Sequence, residues 1–168
     1  MSKDLYIDLE TTHLHLWKAR IVQIGLIWQE KEKSILINPT ISIPEDSTRI
    51  HGITNDMIQN SPTFLDISTK LLEYINEADS IVTYNGKNFD IPILYIEFLR
   101  CGLIMPDKLI FDIYEQVKLF EPNQKLSSVY LRYFNESLSD AHNALADVKA
   151  TKRIREYLLK KSEESHKN

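Results

Sequence analysis

The stretch Asp4-Leu5-Tyr6-Ile7-Asp8-Leu9-Glu10-Thr11-Thr12 decides the reading of the whole chain. Leu5, Ile7 and Leu9 alternate with Asp4, Tyr6, Asp8 and Glu10, which is the period-two pattern of a strand with one apolar and one polar face. Asp8 and Glu10 therefore leave the same face side by side. Two like charges so placed repel, and an isolated pair of this kind is ordinarily a solvated strand face. Here the strand opens an α/β chain and runs into Thr11-Thr12, at the edge where parallel strands deliver residues to a ligand. A divalent ion at that edge would relieve the repulsion.

Working outward, residues 21–28 (IVQIGLIW) and 34–38 (SILIN) are apolar and β-branched, and the polar stretch 29–33 between them predicts an antiparallel hairpin. Ser61-Pro62 predicts an N-cap followed by proline in the first turn of a helix over 62–77, with Phe64, Ile67, Leu71 and Ile75 at helical spacing. Ser80 to Tyr84 reads as a short buried strand, leading through Asn85-Gly86 into a second helix that ends near Arg100 and is stopped by Gly102. Proline is tolerated only in a first helical turn, so Pro92 sets the start of that helix close to Asp90, whose carboxylate meets the positive end of the dipole. A strand over 108–112, a helix over 125–134 and a last helix over 143–159 complete the pattern. The expected class is α/β, a mixed central sheet of about five strands, the first three an antiparallel meander, flanked by α-helices.

The 168 residues suit one domain, expected over 1–160 with a disordered tail over 161–168, and a chain of this size buries roughly 70% of its extended surface. With 43% apolar and 26% charged residues, collagen-like, low-complexity and disordered classes are excluded. No apolar run has the length of a membrane span and the start lacks the apolar stretch of a signal peptide, so a cytoplasmic protein with no membrane partner is expected. The single Cys101 excludes an intrachain disulfide or a thiolate zinc site. A formal charge of −4 gives no global positive field for nucleic acid, but a local acidic site that holds cations would still meet phosphate.

Two further places carry chemistry. Asp90, in Asn85-Gly86-Lys87-Asn88-Phe89-Asp90, stands at the ligand-binding edge, although a helix start favours aspartate with no function at all. His142 and Asp147 lie five apart, which on one helix turns them about 140° away from each other. They converge only if His142 precedes the helix, with Asn143 as its N-cap.

Together these segments resemble the DnaQ-like, DEDDh-type 3′ to 5′ exonucleases of the ribonuclease H-like superfamily. Asp8-Leu9-Glu10-Thr11-Thr12 resembles the first motif, Asp90 in NGKNFD the second, and His142-Asn143-Ala144-Leu145-Ala146-Asp147 the third. Arg20 to Gly25, Ile50 to Thr54 and Lys125-Leu126 also look like family segments. The resemblance implies a ribonuclease H-like fold and hydrolysis of phosphodiester bonds at single-stranded or unpaired DNA or RNA 3′ ends, releasing nucleoside 5′-monophosphates. It implies that Asp8, Glu10, Asp90 and Asp147 hold two divalent ions, Mg²⁺ or Mn²⁺, and that His142 is the general base. It further implies substrate contacts from Leu9, Thr11, Thr12, His51, Asn85 and Phe89. The alternative is a nucleic-acid-binding or proofreading accessory subunit that works through a polymerase or repair partner. Two departures stand out: His13 occupies a place where the family often has glycine, and the second motif is longer than in many relatives.

Overall fold

Strands β1 (Asp4–Thr11), β2 (Ile21–Trp28), β3 (Lys31–Leu36), β4 (Ser80–Thr83) and β5 (Leu109–Asp112) form one sheet in the order β3-β2-β1-β4-β5. A computed structural model supplies this architecture and describes residues 3–139 and 142–165. β1 pairs antiparallel with β2 and parallel with β4, so the meander and the crossover half of the sheet meet on it. The expected mixed sheet and its antiparallel opening are present.

Each face of the sheet has its own core. On one side Leu5, Ile7 and Leu9 of β1 pack with Leu71 and Ile75 of α3 (Phe64–Glu77) and with Leu94 and Phe98 of α4 (Asp90–Arg100). On the other side Tyr6, Ile27 and Val82 meet α5 (Ile113–Val117), α6 (Leu126–Phe134) and α7 (Ala144–Ser165) through Val117, Val129, Val148 and Ile154. Short helices α1 (Glu45–His51) and α2 (Asn55–Ile58) lie over the meander, where Ile43, Ile53 and Ile58 cover Val22.

The polar face of β1 is not a solvated one, because α7 lies across it. Buried Arg155 of α7 pairs with Asp4 at 2.6 Å and reaches the Tyr6 hydroxyl at 3.2 Å, while Asp147, two turns earlier, belongs with Glu10 at the other end of the strand. α7 therefore runs antiparallel to β1 and brings its N-terminus to the strand's C-terminal end. Two β2 residues fix that docking. Gln23 accepts the Ala144 N–H through Oε1 at 3.1 Å, and Gly25 lies so close that a Cβ there would sit 2.2 Å from the Ala144 carbonyl carbon.

Several boundaries differ from expectation. β3 begins at Lys31 rather than 34, because Gln29 and Glu30 turn the hairpin alone, both in the left-handed region at φ 48° and 62°. α3 is capped by Thr63, not Ser61; the Thr63 hydroxyl and the Asp66 carboxylate form a reciprocal capping box, and Pro62 lies before it. α7 continues through Ser165, so the tail expected to be disordered from 161 is helical as far as the described residues go. Residues 160–165 contain no helix breaker, and Lys161 rests over the Tyr157 ring. Among the described residues no helix is long and apolar enough to cross a membrane.

Replacing Gly25 with alanine should lower unfolding stability by about 3 kcal/mol, the upper part of the overpacking range, because backbone blocks the added methyl. A urea denaturation midpoint compared with wild type checks this.

Candidate active site

A cleft of ≈ 900 Å³ opens at the C-terminal end of β1, and Asp8, Glu10, Asp90, His142 and Asp147 all line it. β1 supplies Asp8 and Glu10, both half-buried, as the alternation requires. Asp90 begins α4 one position after its N-cap Phe89, with Pro92 in the first turn as the sequence predicts. Gly86 makes room for its carboxylate, since a Cβ at that position would lie 2.4 Å from Asp90 Oδ2. His142 precedes α7, in the left-handed region at φ 69°, and Asn143 caps the helix by accepting the Leu145 N–H at 3.2 Å. The imidazole and the Asp147 carboxylate thereby face one point. One ligand atom each from Glu10, His142 and Asp147 lie within 4.8 Å of one another.

Electrostatics in the cleft is dominated by burial of like charge. Burial pushes the Asp8 carboxyl well above the ordinary range, and the neighbouring charges of Asp90, Asp147 and Glu10 push it further. Glu10 is raised to about 8, by burial and then by Asp147 and Asp90. Burial also raises Asp90, to about 7, against the opposing effect of backbone hydrogen bonds at Asp90 and Leu9. Asp147 is raised by burial, with His142 acting in the opposite direction. Among the described residues none of the four carboxylates forms an ion pair with lysine or arginine. Asp147 accepts the His142 N–H through Oδ2 at 3.3 Å, but its buried Oδ1 has no hydrogen-bond partner. An orphaned carboxylate oxygen among other hard oxygen donors fits a divalent ion of the Mg²⁺ or Mn²⁺ kind.

Of the expected substrate contacts, Leu9, Asn85 and Phe89 line the cleft, and Thr11, Thr12 and His51 do not. The two threonines are buried and build the following loop. Thr11 Oγ1 donates to the His13 carbonyl at 2.9 Å, and Thr12 Oγ1 accepts the Arg20 N–H at 3.0 Å. His13 has no positive φ, so its place needs no glycine and the side chain causes no backbone strain. His51 Nδ1 accepts the Ile53 N–H at 3.0 Å, and burial lowers its pKa. Its neighbour Ile50, in the last turn of α1, reaches the cleft.

Sequence reasoning missed Asp112. This buried carboxylate accepts the backbone N–H groups of Asn85 at 2.7 Å and Lys87 at 3.0 Å, and so clamps the loop leading to Asp90. The only sequence signal is an aspartate closing the last strand. Leu14, Tyr114 and Lys125 also line the cleft, with no local sequence signal that marks them.

The mixed sheet, with helices on both faces and carboxylates gathered at the end of its central strand, has the ribonuclease H-like fold. The RNase_T family, described as Exonuclease, matches residues 5–155, and the chain belongs to this family. Exonuclease DPD1, chloroplastic/mitochondrial, of Arabidopsis thaliana is 34% identical over 164 residues, covering 84% of this chain and 51% of that protein. DNA polymerase III subunit epsilon of Treponema pallidum (strain Nichols) is 29% identical over 152 residues, covering 84% of this chain and 69% of its own length. The zinc-bound form of the E. coli ExoI–ssDNA complex superposes with a TM-score of 0.82 at 18% identity, over 92% of this chain and 40% of that one. The chain thus spans about half the length of the Arabidopsis relative.

Carboxylates with raised folded-state pKa values bind more protons folded than unfolded, so they favour the fold below their ordinary pKa and this advantage is lost as pH rises through the raised one. In EDTA the melting temperature should fall between pH 4.5 and 8, the ordinary and raised values of Glu10. Mn²⁺ should raise it more at the upper end of that range. A Glu10→Gln, Asp147→Asn double variant should lose most of the Mn²⁺ effect and only part of the pH effect in differential scanning fluorimetry, since burial still raises Asp8 and Asp90.

Proposed function

We propose that this chain is a divalent-metal-dependent 3′ to 5′ exonuclease that acts on single-stranded or unpaired nucleic acid and releases nucleoside 5′-monophosphates. The observation that carries the reading is the convergence of His142, Glu10 and Asp147 within 4.8 Å in a cleft that Asp8 and Asp90 also line. The exonuclease family and a structural neighbour solved with single-stranded DNA support it, and that neighbour favours DNA over RNA as the first substrate to try.

Asp8, Glu10, Asp90 and Asp147 would hold two Mg²⁺ or Mn²⁺ ions. When bound, such ions offset negative charge on the phosphate and acidify a coordinated water. The protein supplies the rest. His142 stands beside Glu10 and Asp147, where its imidazole takes the proton of an attacking water and the nearby Asp147 charge favours the resulting imidazolium. Leu9, Ile50 and Phe89 give the cleft apolar surface for the terminal base and sugar. Asp112 keeps the Asn85 to Lys87 backbone in place, and with it the loop that precedes Asp90.

The likeness to polymerase III epsilon favours a second reading, a proofreading subunit whose turnover depends on a partner. A 5′-labelled oligonucleotide, DNA and RNA in parallel, with Mg²⁺ or Mn²⁺ separates the two. The exonuclease shortens the strand stepwise from its 3′ end, leaves a circular strand intact and stops in EDTA. Binding without turnover supports the accessory subunit. In the same assay Asp90→Asn should reduce turnover by about 100-fold or more, beyond what loss of an outer partner costs. His142→Ala should reduce it by about 10²–10⁴-fold, as expected for a general base.

A further inference from the structure

We infer that Trp17 is a stacking platform for a nucleobase upstream of the terminal nucleotide, so that the substrate track continues from the cleft onto the loop between β1 and β2. The inference rests on the nuclease reading and names the next contact of the same site.

The loop is rigid where it could have been slack. Its neck is closed by the Thr12 N–H donating to the Arg20 carbonyl at 2.9 Å, and inside it the N–H groups of Lys18 and Ala19 both donate to the His15 carbonyl. Arg100, at the end of α4, reaches across and donates to the Ala19 carbonyl at 2.9 Å and to the Trp17 carbonyl at 2.7 Å. Buried Glu97 pairs with Arg100 and, at 2.8 Å, with Arg20. The backbone beneath Trp17 is thus held by a buried carboxylate and two guanidinium groups.

On this braced loop the Trp17 side chain is 69% exposed, whereas Trp28, the other tryptophan of the chain, is 5% exposed in the core. The Trp17 ring joins no aromatic or cation-π pair among the described residues. A large flat side chain in water on an ordered backbone loses little freedom when it meets a partner, which is how aromatic residues contribute at binding surfaces.

Position names the partner. Leu14, three residues earlier in the same loop, is 81% exposed and lines the cleft together with Leu9 and Ile50. A strand whose last nucleotide occupies the cleft must leave through its mouth, carrying bases with a π-face each. Lys125 is the only lysine or arginine among the described cleft-lining residues, so phosphate contacts there are few and stacking on bases is the contact available to hold the outgoing strand. An apolar protein segment on the same loop is the competing occupant, and it predicts no dependence on nucleic acid.

Wild type, Trp17→Ala and Trp17→Phe should be compared on single-stranded oligothymidylate and on the p-nitrophenyl ester of thymidine 5′-monophosphate, which fills only the terminal position. The alanine variant should lose about five- to tenfold more kcat/KM on the oligonucleotide than on the ester, mainly through KM, and phenylalanine should restore most of it. Equal loss on both substrates, or no loss on the oligonucleotide, would overturn the inference. Should wild type cleave neither substrate, the nuclease reading fails separately, and iodide quenching of the exposed Trp17 with Ca²⁺ present then decides: shielding by oligothymidylate supports the platform and unchanged quenching removes it.

Discussion

The structure turns on mutual repulsion among four carboxylates that the fold forces into one partly buried cleft. Asp8 and Glu10 are adjacent on one strand face, Asp90 opens a helix beside them, and Asp147 is brought to them by α7, which lies over that same face. Water alone would leave such groups apart. Burial and mutual repulsion oppose ionisation of these acids and raise their pKa values, and a doubly charged cation would relieve the same repulsion. Placement against repulsion requires a rigid support, and most of the polar interactions near the cleft serve that purpose.

The support is distributed. α7 is registered on β1 by the Arg155–Asp4 pair at one end and on β2 by Gln23 and the bare backbone of Gly25 at the other, which sets where Asp147 and His142 arrive. Asp112 immobilises the turn before α4, and the absent side chain of Gly86 leaves space for the Asp90 carboxylate. Glu97, with Arg20 and Arg100, does for the β1–β2 loop what Asp112 does for its own. Asp112 is matched by backbone N–H groups and Glu97 by the Arg20 and Arg100 guanidinium groups, so the burial of each carboxylate is offset by donors.

Much of this was legible in the chain. The alternation of β1 gave the shared face of Asp8 and Glu10, Pro92 fixed the start of α4 and hence the place of Asp90, and the spacing of His142 and Asp147 required the break before α7 that is present. What was hidden depended on tertiary packing. Local pattern could not say that α7 covers the polar face of β1, because Arg155 and Asp4 are far apart in sequence. Thr11 and Thr12 carry hydroxyls that look available until the loop is closed and both are spent on backbone. The hairpin itself was legible, but not its two-residue turn, because Gln29 and Glu30 adopt left-handed backbone without glycine or asparagine. Asp112 is a single aspartate whose partners are main-chain groups, which leave no trace in sequence.

The central claim, that divalent cations replace protons and relieve repulsion among these acids, is tested most directly by calorimetric titration of Mn²⁺ at neutral pH in two buffers of different ionisation enthalpy. The account predicts saturable binding with net release of protons to the buffer, since Glu10 and Asp90, raised to about 8 and about 7, are partly protonated before the ion arrives. Saturable binding with no proton release, or no saturable binding at all, would contradict it.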